Sequence, residues 1–221
     1  MKKVTLTFDN GPDPSGTTGL VLDELARRGV LASFFVVGRQ LARPGARDLA
    51  ERARDEGHWI GNHTLTHKIM LGDSDDASLA EREIGEAQAL IGDLAHPDRL
   101  FRPNGGGGVI SQRLLSPSAV SYLVDGGYTC VLWTSVPRDW EPGPAWVDRC
   151  LADIDAQEWS VVVVHDLPSG GMVYLPALLD RIEATGAESV QGFPPACVPI
   201  RRGVVEADIS PIVSQSHSLT A

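Results

Sequence analysis

Val4-Thr5-Leu6-Thr7-Phe8 runs directly into Asp9-Asn10-Gly11-Pro12, so a β-branched and aromatic run gives way at once to strong turn chemistry. The first five residues read as a strand and the Asn-Gly-Pro step as its end. A carboxylate and a carboxamide are thereby left side by side where strand becomes loop. In an α/β barrel that position faces the mouth where catalytic groups gather. The same two residues would also suit a turn with no other role.

Along the rest of the chain short apolar runs recur with helical segments between them, the pattern of repeated βα units around parallel strands. Strands are expected over 4–8, 32–37, 59–62, 100–101, 129–133 and 161–165. Helical periodicity over 18–28 stops at Gly29, and a second helix over 48–56 stops at Gly57. Ser78 with Glu81 has the form of a capping box and predicts a helix running to about Leu94. Further helices are expected over 112–125, with a break or kink at Pro117, over 146–157 and over 174–184. Six or seven such units are too few for an eight-stranded barrel and enough for an incomplete one. One domain over 1–221 follows, with 187–221 a less regular segment holding Pro194, Pro195, Pro199 and Pro211, adding a last strand before a frayed tail.

Composition narrows the function classes. With 43% hydrophobic and 22% charged residues the chain has ordinary globular composition, and no apolar run is long enough to cross a bilayer. A formal net charge of -10 argues against nucleic acid or an anionic membrane as partner, because either would add repulsion. Met1-Lys2-Lys3 leads straight into the first strand without a secretory-signal pattern, so a cytoplasmic location is expected. Cys130, Cys150 and Cys197 are odd in number and form no C-x-x-C pair, which suits a reducing compartment and gives none of them a catalytic role.

His63-Thr64-Leu65-Thr66-His67 spaces two imidazoles four residues apart, which on a helical turn would bring both to one metal ion. The pair follows Gly61-Asn62 at a predicted strand end. Asp9, Asn10, Arg102 and His165 also fall at or just after predicted strand ends, so one mouth would collect them all.

Thr7 to Pro12, His63 to His67, Phe101-Arg102-Pro103, Arg138-Asp139-Trp140 and Val163-Val164-His165-Asp166 occur in the order and approximate spacing of the five motifs of the polysaccharide deacetylases. The chain therefore resembles that family, the carbohydrate esterases of family four, which includes chitin-oligosaccharide and peptidoglycan deacetylases. The likeness extends from near residue 4 to residue 166, about three quarters of the chain. It implies an incomplete (β/α)7 barrel, a distorted relative of the TIM barrel, and metal-dependent hydrolysis of an N-acetyl group on a sugar.

By that resemblance Asp9 is the general base, and Asn10, His63 and His67 take the three ligand positions of a divalent metal, zinc in the first instance. Three protein ligands leave a coordination position open for water or the substrate carbonyl. Arg102 matches the residue that orients the base and holds it ionised. His165 matches the general acid, and Asp139 the carboxylate that supports it. Trp140 and Val163 match residues lining the groove and the acetyl-methyl pocket, and the Gly105 N–H matches an oxyanion donor.

Three departures stand against the family pattern. Asn10 takes the place of a ligand carboxylate, so an Asn-His-His site would hold its metal less tightly. Asn104-Gly105-Gly106-Gly107-Gly108 replaces a Pro, aromatic, Gly segment, which allows close backbone approach and removes an aromatic wall. Ser135-Val136-Pro137 precedes Arg138 where an upstream Asp is common. The alternatives left open are a metal-independent hydrolase of a small amide or ureide, as in allantoinase-like relatives, and a non-catalytic carbohydrate-binding relative.

Overall fold

Among residues 1–215, which a computed structural model describes, nine strands form one sheet that curls into an open, incomplete barrel. They are β1 (Lys3–Asp9), β2 (Ser33–Val36), β3 (Trp59–Asn62), β4 (Leu100–Phe101), β5 (Thr129–Cys130), β6 (Trp159–His165), β7 (Glu188–Ser189), β8 (Ile200–Arg201) and β9 (Val204–Val205). The order is β6-β1-β2-β3-β4-β5-β8-β9, with β7 beside the first residues of β1. From β6 to β5 every neighbour is parallel, and β8 and β9 add an antiparallel edge. The parallel order puts the C-terminal ends of β1, β3, β4 and β6 on one side, where the expected site residues sit.

The helices are α1 (Thr17–Arg28), α2 (Gly38–Leu41), α3 (Ala46–Asp55), α4 (Ala77–Ala80), α5 (Ala87–Ile91), α6 (Pro117–Asp125), α7 (Ala145–Asp155) and α8 (Leu175–Ala184). Side chains alternate across each strand, and this alternation divides core from site. On β1, Val4, Leu6 and Phe8 join Leu22, Trp146 and Leu178 in the apolar layer between sheet and helices. Thr5, Thr7 and Asp9 face the other way and are buried inside the barrel. On β6, Val162 and Val164 belong to the helix-facing layer, while Val161 and Val163 pack within the second core cluster.

The expected strand over 129–133 is paired as a strand only at Thr129–Cys130, and the reason is a change of partner. The Val131 N–H still bonds to Phe101 on β4, but the Leu132 N–H bonds to Cys197, and Ser135 forms a bridge with Val162 of β6. The chain thus crosses from β4 to β6 and narrows the gap that an incomplete barrel leaves there.

Helix starts are corrected in two places. Asp76, not Ser78, caps the helix before β4, accepting the Ser78 N–H at 2.9 Å. That helix continues past α4 through a π-helical turn, Glu81–Glu86, into α5 and a 3₁₀ turn at Gly92–Leu94. Pro117 does not kink a helix; it starts one. Ser116 caps α6 through the Ala119 N–H, and Pro117 takes the first turn, where its missing N–H costs nothing. Residues 112–116 are outside the helix. Tyr174 ends a 3₁₀ turn, Gly171–Tyr174, ahead of α8. At the other boundaries α1 ends at a left-handed Gly29, φ 64°, as its sequence predicts.

The segment after residue 186 supplies three short strands where one was expected, and part of the expected frayed tail, 216–221, lies outside the described residues. Cys130, Cys150 and Cys197 are buried free thiols, and burial pushes the first two up to about 12 and the third to about 11. No helix among the described residues is long and apolar enough to cross a membrane.

Candidate active site

Asp9 ends β1 directly beside His165 at the end of β6, the two being in register on neighbouring strands. Burial alone would push the Asp9 carboxyl up. The charge of Arg102, then those that His63 and His165 carry when protonated, and the hydrogen bond from Arg102 outweigh that, and hold it below the ordinary carboxylate range. Asp9 is an anion at neutral pH.

Arg102 is fully buried, its guanidinium 4.0 Å over the Phe35 ring. Nη1 donates to Asp9 Oδ1 at 2.8 Å and to Thr7 Oγ1 at 2.6 Å, while Nε donates to the Val131 carbonyl at 3.3 Å. The Phe35 ring has its place because residue 61 is glycine: a β-carbon there would stand 2.6 Å from the ring. Thr7 and Phe35 are thus supports of the base that their sequence context does not single out, although both face inward by strand alternation.

The two imidazoles meet, but not on a helical turn. Thr64 and His67 adopt left-handed backbone, φ 67° and 55°, and the kinked loop brings the rings to 4.7 Å between centroids. Glu83 on the π-helical turn secures this loop, its carboxylate accepting the Thr66 N–H at 2.9 Å and the Thr66 hydroxyl at 3.0 Å. Sequence reading missed Glu83 because a buried acid on a helix has no local signal.

His63 Nδ1 lies 2.8 Å from the Arg102 carbonyl, which can only accept, so Nδ1 carries the proton. Burial holds His63 neutral, leaving Nε2 a bare lone pair 3.5 Å from Asp9 Oδ2. Burial and then the neighbouring His63 push His67 down to about 3, so it is neutral as well. Asn10, at φ 75°, buries an Oδ1 with no hydrogen-bond partner among the described residues. Two neutral imidazoles and an orphaned amide oxygen beside a carboxylate form an acceptor-rich set, which fits a cation. Among the described residues, no group of three or more His, Cys, Asp or Glu side chains is placed to hold a metal, so the set depends on the Asn10 amide.

Beside Asp9, Asp139 receives His165 twice: Nδ1 at 2.8 Å from Oδ1, and the backbone N–H at 2.9 Å from Oδ2. Burial would push the imidazole down, but the hydrogen bond and charge of Asp139, with the charges of Asp9 and Asp166, raise it above its ordinary value. Trp140 meets the ring edge-on, 5.1 Å between centroids at 77°. Gly171 permits the Asp139 turn, since a β-carbon there would meet the Asp139 carbonyl at 2.1 Å.

Asp9, Asn10, His63, His67 and His165 open on one cavity of about 210 Å³, whose walls include Gly105, Trp140 and Val163. Arg102 and Asp139 stand behind it. Trp133 and Val136 line it too, which sequence reading missed. The glycine run does not leave the pocket without an aromatic wall. The Trp133 ring lies where a Gly105 side chain would be, 2.5 Å from an added β-carbon, and its Nε1 donates to the Gly108 carbonyl at 2.8 Å.

A buried carboxylate held ionised by arginine, beside an imidazole held by a second carboxylate and opening on the same pocket, is the constellation of an acid–base hydrolase. The polysaccharide deacetylase profile matches residues 1–123. A peptidoglycan-N-acetylglucosamine deacetylase of Bacillus cereus is 32% identical over 168 residues, 75% of this chain and 73% of that protein. A chitooligosaccharide deacetylase of Rhizobium leguminosarum bv. trifolii is 36% identical over 167 residues, 75% of this chain and 72% of the relative. Among solved structures, a family 4 acetyl xylan esterase from Clostridium thermocellum, described in complex with a cobalt ion, superposes with a TM-score of 0.69 at 26% identity, covering 86% of this chain and 88% of its own. The chain belongs to the polysaccharide deacetylase family.

Proposed function

We propose that this protein hydrolyses the amide of an N-acetylated sugar or oligosaccharide, with Asp9 as base, His165 as acid and a divalent cation as cofactor. The observation that carries the reading is the pairing of Asp9 with Arg102 and of His165 with Asp139 at two adjoining strand ends, with Asp9 and His165 opening on the one cavity. The family and the deacetylase relatives support the substrate class.

Asp9 Oδ2, the oxygen not bonded to Arg102, takes a proton from the attacking water as its oxygen adds to the acetyl carbon. The Gly105 N–H, with no protein acceptor among the described residues, donates to the oxygen on which charge develops. Asp139 fixes the proton on His165 Nδ1, so Nε2 faces the substrate. The protonated ring gives its Nε2 proton to the leaving nitrogen as the C–N bond breaks, yielding acetate and a free amine. Val163 and Trp133 give the acetyl methyl an apolar seat, and Trp140 offers a sugar ring a partly exposed aromatic edge.

Asn10 Oδ1, His63 Nε2 and His67 are the donors for the cation, which when bound supplies Lewis acidity and neutralises charge developing at the acyl oxygen. Imidazole suits zinc, and zinc is the ion assigned to this reading. An uncharged amide in place of a carboxylate makes the hold weaker. That same neutrality favours the second reading, a small-amide hydrolase acting without metal. Metal analysis of the purified protein, with acetate release from N-acetylglucosamine oligomers before and after chelation, separates them. Loss of acetate release on chelation and recovery on adding zinc supports the first; undiminished turnover of a small amide in chelator supports the second.

A further inference from the structure

Asp166 follows the acid directly, yet the chemistry above leaves it unused. Its side chain is buried at the end of β6, and Oδ2 accepts a hydrogen bond from the Thr18 hydroxyl at 2.5 Å. Thr18, in the first turn of α1, accepts the Asp13 N–H at 2.7 Å. The carboxyl also presses on Gly11: a β-carbon there would stand 2.1 Å from Oδ2 and 2.3 Å from Oδ1. No larger residue fits at position 11 while Asp166 keeps its place, so loop and carboxyl interlock.

This arrangement is costly to keep for packing alone. Asp166 Oδ1 is buried with no hydrogen-bond partner among the described residues, so its lost solvation is not repaid. An aliphatic side chain would fill the space without that cost. What an aliphatic residue would not do is hold Thr18, and through it the loop that leads away from Asp9 and Asn10.

We infer that Asp166 is a positioning residue: through Gly11 and Thr18 it clamps the loop carrying Asp9 and Asn10 to the strand end carrying His165, and so fixes the spacing of base and acid. The inference rests on the assignment of Asp9 and His165 made above. The register supports it, since Asp9 and His165 are already neighbours on β1 and β6 and residues 10 and 166 are the first beyond the paired ladder. Asp166 also bears on the acid electrostatically. The groups facing His165 are Asp139, Asp9 and Asp166, with His63 and His67 across the pocket. Burial pushes the Asp166 carboxyl up to about 6, and once ionised it favours a protonated His165.

The test compares Asp166→Ala, Asp166→Asn and Thr18→Val with the unaltered protein in three measurements: thermal unfolding, kcat and KM on N-acetylglucosamine oligomers, and titration of the His165 ring by NMR. Asp166→Ala is expected to lower kcat on the order of tenfold or more with KM within about twofold. Asp166→Asn, which still packs on Gly11 and accepts from Thr18, restores most of kcat, and Thr18→Val reproduces the loss. Both Asp166 variants move the His165 titration to lower pH, because an anion has been removed. A folded Asp166→Ala protein with unaltered kcat overturns the inference, as does an Asn variant as slow as Ala with the His165 titration unmoved. Should Asp166→Ala fail to fold, the Asn and Val variants decide by the same criteria. If the unaltered protein releases no acetate, the proposed function fails, and the NMR titration still decides the role of Asp166.

Discussion

Arg102 Nη1 stands 2.8 Å from Asp9 Oδ1, and both side chains are buried. The same guanidinium reaches Thr7 and the Val131 and Leu132 carbonyls, a fan of donors that a lysine ammonium cannot reproduce. Arg102→Lys is therefore expected to lower kcat/KM by about a hundredfold. Because the arginine charge holds Asp9 ionised, removing it in Arg102→Gln raises the Asp9 pKa and moves the acid limb of the pH–rate profile to higher pH. The measurement is kcat/KM against pH, with a melting curve to confirm the fold. An unmoved acid limb would separate Asp9 from the base role.

Asp139 governs the other limb. His165 is held above its ordinary pKa, so the protonated acid persists past the usual histidine range and is lost only as pH rises through the higher value. Asp139→Asn should bring the alkaline limb down in pH and cut kcat by about tenfold or more. A profile with its alkaline limb in place would mean that another group supplies the proton.

Much of this was legible in the sequence, and unevenly. Short strands bounded by Gly and Pro were found because apolar runs and punctuators are local signals, and Asp9, Asn10, His63, His67, Arg102, Asp139 and His165 follow from motif order. The Pro117 helix was misplaced because a proline inside an apolar stretch reads as an interruption, whereas the Ser116 cap makes it a start. Trp133 and Glu83 were missed for a different reason. Each acts across a long sequence separation, one against Gly105 and Gly108 and the other against Thr66, and no local pattern encodes such contacts.

Asn10 Oδ1, buried without a hydrogen-bond partner among the described residues, is the atom that the proposed cation site uses in place of a carboxylate. Asn10→Asp adds a negative charge to the ligand set and should tighten zinc binding by tenfold or more. Asn10→Ala should weaken it. Calorimetric titration of the metal-stripped protein with zinc reads both, and equal affinity in all three proteins would remove Asn10 from the ligand set.

Gly105→Ala tests the wall of the pocket. The added β-carbon meets the Trp133 ring at 2.5 Å, so loop or indole must move. Overpacking of this kind costs about 1–3 kcal/mol, read as a lowered melting temperature. A raised KM should accompany it, because the displaced groups line the cavity. A normal KM with lowered stability would confine Gly105 to a packing role.

On the proposed reading Asp9 and His165 act as base and acid on an N-acetyl group in one cavity. Acetate release from N-acetylglucosamine oligomers, measured with saturating zinc for the unaltered protein, Asp9→Asn and His165→Ala, tests it most directly. Release by the unaltered protein, with each variant slower by about a hundredfold or more, is the predicted result. No release by the zinc-loaded protein, or release that survives both substitutions, would contradict it.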